Sequence, residues 1–560
     1  MNKPPFGRRF AAMALSPVLA LLSWAGPALA DDRADNRVQT ASGALQGTLA
    51  PAGDVAVFKG VPYARPPIGE LRWKPPQAPA SWDGVRPAVE TGPACLQPNA
   101  GPRGFYTDPP PRTGEDCLYL NVWAPKAARN APVMVFIHGG SLITGDGGSP
   151  RYDGSKLARK GVVVVTINYR LGVFGYFAHP ELSAESPHGA SGNYGTLDQI
   201  AALRWVRTNI AAFGGDPERV TVFGQSAGAL SVSHLMTSPL AAGLFQRAIA
   251  QSLYMPAIPE LRRSRLGLPA AEEAGRTFGR AHGAPTLADL RAMPADRLLT
   301  VAAANPNDVF GMTSAVVDGW VQTAQIYETF EAGRQAKVPF LSGFTSGEMK
   351  AFDAGVLPPF PATPAEYEAH VRAAYGEMAP AYLRLYPAAT PADSAQAAAR
   401  DAFYGWAIER MLKLHVDAGQ NAWLYYFDHV YPSAEARGVG AFHSSDVPFV
   451  FGNVGPGALA PRNWPSPPPA RPDDIAMSDA LMDYWTAFAR TGRPDPAGRP
   501  AWPAFTGPDG GYMAFRAGQA APSSGLLPEM FEVQDAHMRR LRADDRAWTW
   551  INTGIAAPPR

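Results

Sequence analysis

The chain has little cysteine, no excess charge of either sign and no long apolar span. Its two cysteines, Cys95 and Cys117, form no Cys-x-x-Cys pair, and no His-Glu-x-x-His run occurs. The sequence therefore offers no spacing that would hold a structural or catalytic metal. An Asn-x-Ser/Thr glycosylation acceptor is also missing. Lys plus Arg number 50 and Asp plus Glu 49, a net charge of +1 over 560 residues. A chain this balanced carries no electrostatic footprint for a polyanion, which excludes nucleic acid as an expected partner. Its 55 glycines and 57 prolines stay below the share, about 25–30%, at which disorder becomes the default. What is present is core material, 46% hydrophobic and 10% aromatic, in a loop-rich globular chain.

The first thirty residues read as an export signal. Lys3, Arg8 and Arg9 give a positive start, Phe10 to Ala25 is apolar, and Ala28-Leu29-Ala30 supplies a small-x-small cleavage pattern ahead of Asp31-Asp32. The stretch is shorter than the ~20 residues a membrane span needs and is interrupted by Ser16-Pro17. We expect a signal peptide over residues 1–30, then a single mature domain over 31–560 with no membrane span, in the periplasm or secreted. Arg8-Arg9-Phe10 is a partial twin-arginine match, so both export routes stay open. In an oxidising compartment Cys95 and Cys117 are expected to be bridged, closing a short loop for about 3 kcal/mol in the chain-entropy model.

Short apolar runs bounded by turn residues recur at Val133 to Ile137, Val162 to Ile167, Val220 to Phe223, Arg247 to Gln251, Val338 to Leu341 and Trp423 to Phe427. Runs that do not alternate with polar residues suit strands buried on both faces. Helix-length segments separate them. In Thr196 to Ile210, for example, Leu197, Ile200, Leu203 and Val206 recur at three-four spacing. The alternation predicts an α/β fold with a large, mostly parallel sheet covered by helices, opened by an antiparallel set at Leu45 to Leu49, Val55 to Val61 and Leu118 to Trp123.

The chemistry concentrates in Phe213 to Gly228, which contains Gly224-Gln225-Ser226-Ala227-Gly228. A buried strand leads into this G-x-S-x-G and an apolar helix, Ala229 to Met236, leaves it, the setting of a nucleophile elbow. A serine hydroxyl needs a base, and His370, His415, His429, His443 and His537 lie downstream. His370, His415 and His537 fall in helix-like stretches. His443 sits in a loop of small residues and is preferred, with His429, at a strand end, as the alternative. The imidazole needs an acid. Glu348 follows a short strand and a glycine-rich turn, while Asp353 and Asp318 compete; Asp318, before Gly319, reads as a turn residue. His138-Gly139-Gly140-Ser141 after the strand Val133 to Ile137 offers backbone N–H donors for a developing oxyanion.

Together these segments resemble the type-B carboxylesterases of the α/β-hydrolase superfamily, from about Gly43 to Trp502. Phe58-Lys59-Gly60-Val61-Pro62-Tyr63-Ala64 and Glu115-Asp116-Cys117-Leu118-Tyr119-Leu120-Asn121-Val122 are similar to two further family segments. The resemblance implies Ser226 as nucleophile, Glu348 as acid and His443 as base. It also implies Gly140, Ser141 and Ala227 as oxyanion donors, Ser252 as a supporting serine behind the triad, and a Cys95–Cys117 disulfide. There are two departures: Ser141-Leu142 after the glycines predicts an altered pocket wall beside the oxyanion donors, and, with Gly347-Glu348-Met349 around the acid, it leaves substrate preference open. The reaction implied is two-step hydrolysis of a small-molecule carboxylic ester through an acyl-enzyme, with no cofactor. A non-catalytic binding or adhesion protein, and amidase or thioesterase action at the same site, are the alternatives.

Overall fold

The uninterrupted apolar runs become the central strands of one eleven-stranded sheet. In the computed structural model, which describes Met1 and residues 36–98, 105–106, 109–303, 314–352, 361–548 and 553–554, the strands are β1 (Thr48–Leu49), β2 (Val55–Pro62), β3 (Tyr119–Pro125), β4 (Ala131–Ile137), β5 (Val163–Ile167), β6 (Gly215–Gln225), β7 (Arg247–Gln251), β8 (Phe340–Thr345), β9 (Ala422–Asp428), β10 (Gly511–Arg516) and β11 (Gln519–Ser524). Their spatial order is β11-β10-β9-β8-β7-β6-β4-β5-β3-β2-β1. Strands β10 through β5 in that order pair parallel. Both edges turn antiparallel, at β11 on one side and β3, β2 and β1 on the other. The expected signal peptide, and Asp353, lie outside the described residues.

Every residue of β4 and β5 is buried, because helices cover both faces. Val133, Val135 and Ile137 of β4 enter a core shared with Ile200, Leu203 and Val206 of α1 (Tyr194–Asn209). Leu230 of α2 (Ala227–Thr237) and Leu412 of α3 (Trp406–Asp417) belong to that core as well. Met134 and Phe136 point the other way, towards Met477, Leu481 and Trp485 of α4 (Pro472–Thr491). One strand thus feeds two cores by its period of two.

The departures from the sequence expectation have local causes. Leu45 to Leu49 splits at Gly47: Gly43–Gln46 joins a separate small sheet with Arg37–Thr40 and Val85–Pro87, and only Thr48–Leu49 reaches the main one. The run at Val338 continues as strand through Ser342, whose hydroxyl donates to the Ala250 carbonyl at 2.6 Å, so a polar residue sits satisfied inside the sheet. The β10–β11 hairpin was not anticipated, since Gln519–Ser524 is largely exposed, carries Pro522 and holds an edge position. Cys95 and Cys117 are bridged, with Cα atoms 4.9 Å apart.

Two buried ionic features matter for stability. After β5, Arg170 forms a two-pronged pair with Asp198 of α1, both contacts 2.7 Å, and its backbone N–H donates to the same carboxylate at 3.0 Å. By contrast Glu409 of α3 is fully buried, and neither carboxylate oxygen has a hydrogen-bond partner among the described residues. Burial raises its pKa well above the usual glutamate range, and the neighbouring acids Asp401 and Asp509 add to the rise. A carboxyl protonated in the fold and ionised when unfolded stabilises the fold below its unfolded pKa, about 4.3, and loses that contribution as pH rises through the folded value. Glu409→Gln, which cannot ionise, is therefore expected to be more stable than the parent at pH 8, with the gap closing towards pH 4. Urea midpoints at the two pH values measure this; a gap independent of pH would contradict a protonated Glu409.

Candidate active site

The strand order places the site. β4 has β5 on one side and β6 on the other, so successive crossovers leave in opposite directions and open a crevice beyond the carboxyl ends of the strands. From β4 the chain enters His138-Gly139-Gly140-Ser141, from β6 it reaches Ser226, and from β8 it runs on to Glu348. These strands deliver their C-terminal residues to the same edge.

Ser226 is the corner between β6 and α2, at φ 59° and ψ −125°. A non-glycine residue there stores about 1–3 kcal/mol of strain. It is held by its N–H donating to the Gln251 carbonyl and its carbonyl accepting from Leu230 N–H, both 2.9 Å. The tight corner requires Gly228: a Cβ there would lie 2.0 Å from the Ile137 carbonyl oxygen of β4. The Ser226 side chain makes no capping hydrogen bond, so it does not serve as an ordinary helix cap and faces the cleft instead.

His443 and Glu348 meet although they are 95 residues apart. Glu348 is fully buried; one carboxylate oxygen pairs with His443 Nδ1 and the other accepts from Thr345 N–H at 2.8 Å. A carboxylate against Nδ1 sets the tautomer, leaving Nε2 with the lone pair. The two loops are joined by a bridge between Gly347 and Phe442, with Gly347 N–H donating to the Ala441 carbonyl at 2.9 Å. Below them Asp446 accepts from Gln251 Nε2 at 2.8 Å and the Tyr425 hydroxyl at 2.9 Å, tying the histidine loop to β7 and β9. Burial holds the Asp446 carboxyl above the usual range, with the Gln251 and Tyr425 hydrogen bonds opposing.

Gly140 and Ser141 line the cleft beside Ser226, and Ala227 follows it as the first residue of α2. None of these three backbone N–H groups donates to an acceptor among the described residues. Gly140 holds φ +107°, and a Cβ on it would strike the Thr144 carbonyl oxygen at 2.2 Å. His138 beneath is structural: its Nδ1 lies 2.8 Å from the Gly139 carbonyl, its ring stacks on Tyr169 at 4.5 Å, and burial lowers its pKa to about 4.

The structure separates the competing residues. His429 is buried, with Nε2 2.9 Å from Asp474 and Nδ1 accepting from Gly518 N–H, away from the cleft. His415 contacts the Val338 carbonyl at 2.8 Å, and burial lowers its pKa to about 4. His370 and His537 lie in the helices Pro364–Tyr375 and Pro528–Ala543. Asp318 makes a turn, one oxygen accepting from the N–H groups of Trp320, Val321 and Gln322. Ser252 is buried and its N–H donates to the Gly343 carbonyl, but its hydroxyl has no hydrogen-bond partner among the described residues. The hydrogen-bonded support behind the site runs through Gln251 and Asp446 instead.

One neighbour was missed. Gln225, the variable residue just before Ser226, places its side-chain nitrogen 3.2 Å from His443 Nε2, and Ser226 itself makes no hydrogen bond to the imidazole. Catalytic hydrogen bonds are often loose without substrate. Aromatic rings wall the histidine: Tyr404, Phe352 and Tyr106 lie 5.3, 5.5 and 5.6 Å from its ring centre. The cleft is open to solvent, and the free space in and above it comes to about 830 Å³.

A parallel sheet with its order reversing at β4, a serine elbow and a histidine–carboxylate pair at one edge define an α/β-hydrolase. Residues 34–530 match the model of the carboxylesterase family. The chain is 38% identical over 476 residues to a fumonisin B1 esterase of Sphingopyxis macrogoltabida, covering 83% of this chain and 84% of that protein. It is 35% identical over 484 residues to a para-nitrobenzyl esterase of Bacillus subtilis, covering 84% and 92%. A solved PNB esterase structure superposes with a TM-score of 0.75 at 32% identity, over 89% of this chain and 99% of that one. A Geobacillus stearothermophilus carboxylesterase gives 0.71 at 33% identity, again over 89% and 99%. The chain belongs to the carboxylesterase family.

Proposed function

We propose that the protein hydrolyses small-molecule carboxylic esters, with Ser226 as nucleophile, His443 as base and Glu348 as the acid that orients it. The observation that carries this is the convergence, in one cleft, of a strained serine at an elbow, a buried histidine–glutamate pair and three unengaged backbone N–H groups. Ser226 Oγ attacks the ester carbonyl carbon while His443 Nε2 takes its proton. The carbonyl oxygen, now negative, is met by the N–H groups of Gly140, Ser141 and Ala227, each worth about 100- to 1000-fold in rate. The carbon–oxygen bond to the alcohol breaks, and His443 returns the proton to the leaving oxygen. Water, deprotonated by His443, then attacks the acyl-enzyme and releases the acid and free Ser226. The names of the relatives, a fumonisin B1 esterase and a para-nitrobenzyl esterase, support ester cleavage.

The test is hydrolysis of p-nitrophenyl esters of increasing acyl length. Turnover with a stoichiometric burst is expected; a folded protein that turns over none of them would favour a binding role. Export through a cleaved N-terminal signal belongs to the same reading, supported by the buried Cys95–Cys117 bridge. The exported protein is expected to begin at Asp31, and an intact mass retaining residues 1–30 would contradict this.

A further inference from the structure

We propose that Arg151 is a carboxylate anchor in the cleft, selecting esters whose acyl part carries a second, negatively charged carboxylate; the inference rests on the ester-hydrolase reading above. Arg151 lines the same cleft as Ser226, His443, Gly140 and Ser141. Among the described lining residues it is the one permanently charged group, and none of them is an aspartate or glutamate. The rest of the wall mixes uncharged polar groups and glycines with the aromatic and apolar side chains of Tyr106, Tyr152, Phe352, Val447 and Trp464 and two prolines. A half-buried cation in a cleft with no acidic side chain among the described lining residues attracts an incoming anion more strongly than a fully solvated one.

The guanidinium is preorganised. Its carbon lies 5.1 Å from the Tyr152 ring centre and 5.5 Å from that of Trp464, so two aromatic rings hold it by cation–π contact. Its Nε reaches the Ser149 hydroxyl at 3.3 Å. The Arg151 carbonyl accepts from Asn453 Nδ2 at 2.6 Å, and the residue lies in the short helical turn Pro150–Tyr152, which fixes the backbone. No side-chain hydrogen bond from its two terminal nitrogens is seen among the described residues, and a guanidinium presents such N–H groups as a fork that suits a planar bidentate acceptor such as a carboxylate.

Other arginines of the chain show what this one lacks. Arg72, Arg170, Arg291, Arg400 and Arg499 each sit within salt-bridge distance of a carboxylate, whereas Arg151 has no ion pair among the described residues. Asp146, a mostly buried carboxyl that accepts from Gly148 N–H at 2.8 Å, feels the Arg151 charge without forming an ion pair with it. Arg151 shares its cleft with Ser226, Gly140 and Ser141, the groups that would hold the scissile carbonyl. In a shared cleft, a substrate whose ester carbonyl lies at Ser226 presents a second carboxylate to Arg151.

The test compares two esters of equal chain length, p-nitrophenyl hexanoate and mono-p-nitrophenyl adipate, which differ in a terminal methyl against a terminal carboxylate. The parent protein is expected to prefer the adipate in kcat/KM. In Arg151→Met that preference is expected to fall about 10- to 100-fold, the size of a lost charge-assisted hydrogen bond. Arg151→Lys should keep part of it as a point charge without the fork. Raising ionic strength from about 0.01 M to about 1 M should erode the preference of the parent protein, a readout needing no variant. No adipate preference, or one that Arg151→Met and salt leave in place, would overturn the anchor while hexanoate turnover keeps the esterase reading. If neither ester is turned over, the esterase reading fails, and the anchor with it.

Discussion

Ser226→Ala is expected to lower kcat for ester hydrolysis by about 10⁵- to 10⁶-fold while leaving the fold intact. The hydroxyl is the only group removed, and it takes part in no hydrogen bond that holds the elbow: the Gln251 and Leu230 contacts are made by the Ser226 backbone. Loss of activity with an unchanged denaturation midpoint is therefore the expected pattern. His443→Ala should cost a similar factor, and the double variant little more, because nucleophile and base act as one unit. Glu348→Gln should cost about 10⁴-fold by favouring the wrong imidazole tautomer, since its other oxygen still accepts from Thr345 N–H. Retention of more than a small fraction of activity in Ser226→Ala would remove Ser226 from the mechanism.

The second large effect concerns stability. Arg170→Met is expected to destabilise the protein by about 3–5 kcal/mol, because it leaves Asp198 in the core without its counter-charge and with only the backbone N–H of residue 170 still donating to it. The side chains of Arg170 and Asp198 are 4% and 0% exposed, and the pair joins the segment after β5 to α1, one of the helices covering the sheet. The penalty comes from the orphaned charge rather than from the strength of the pair. A double replacement, Arg170→Met with Asp198→Leu, should therefore recover much of the loss. Urea midpoints of the single and double variants decide this; a single variant as stable as the parent would mean that Asp198 finds another partner or a proton.

What could be read without coordinates follows from how local each signal is. The central strands were legible because burial on both faces forbids polar alternation, as in Val133 to Ile137. Ser226 was legible because an elbow needs glycine at two fixed offsets, and the later histidines could be narrowed by asking which lay in a loop. The β10–β11 hairpin was not, since an exposed edge strand with a proline leaves no apolar pattern. Nor were the contacts that tune the site. Asp446 is three residues past His443, yet its bonds to Gln251 and Tyr425 join three segments distant in sequence. Gln225 stood in view inside the G-x-S-x-G, but only the packing of the His443 loop over β6 shows which nitrogen it meets. Arg151 follows a proline in an ordinary loop sequence, and only the cleft reveals that it has no ion pair among the described residues.

The most direct test of the central claim is covalent trapping of the nucleophile. After treatment with a p-nitrophenyl phosphonate ester, intact mass and peptide mapping are expected to find one phosphonyl group per chain, on Ser226, absent in Ser226→Ala and slowed by orders of magnitude in His443→Ala. A folded protein that acquires no adduct, or one that carries it on another residue, would contradict the assignment of Ser226 and His443 as nucleophile and base.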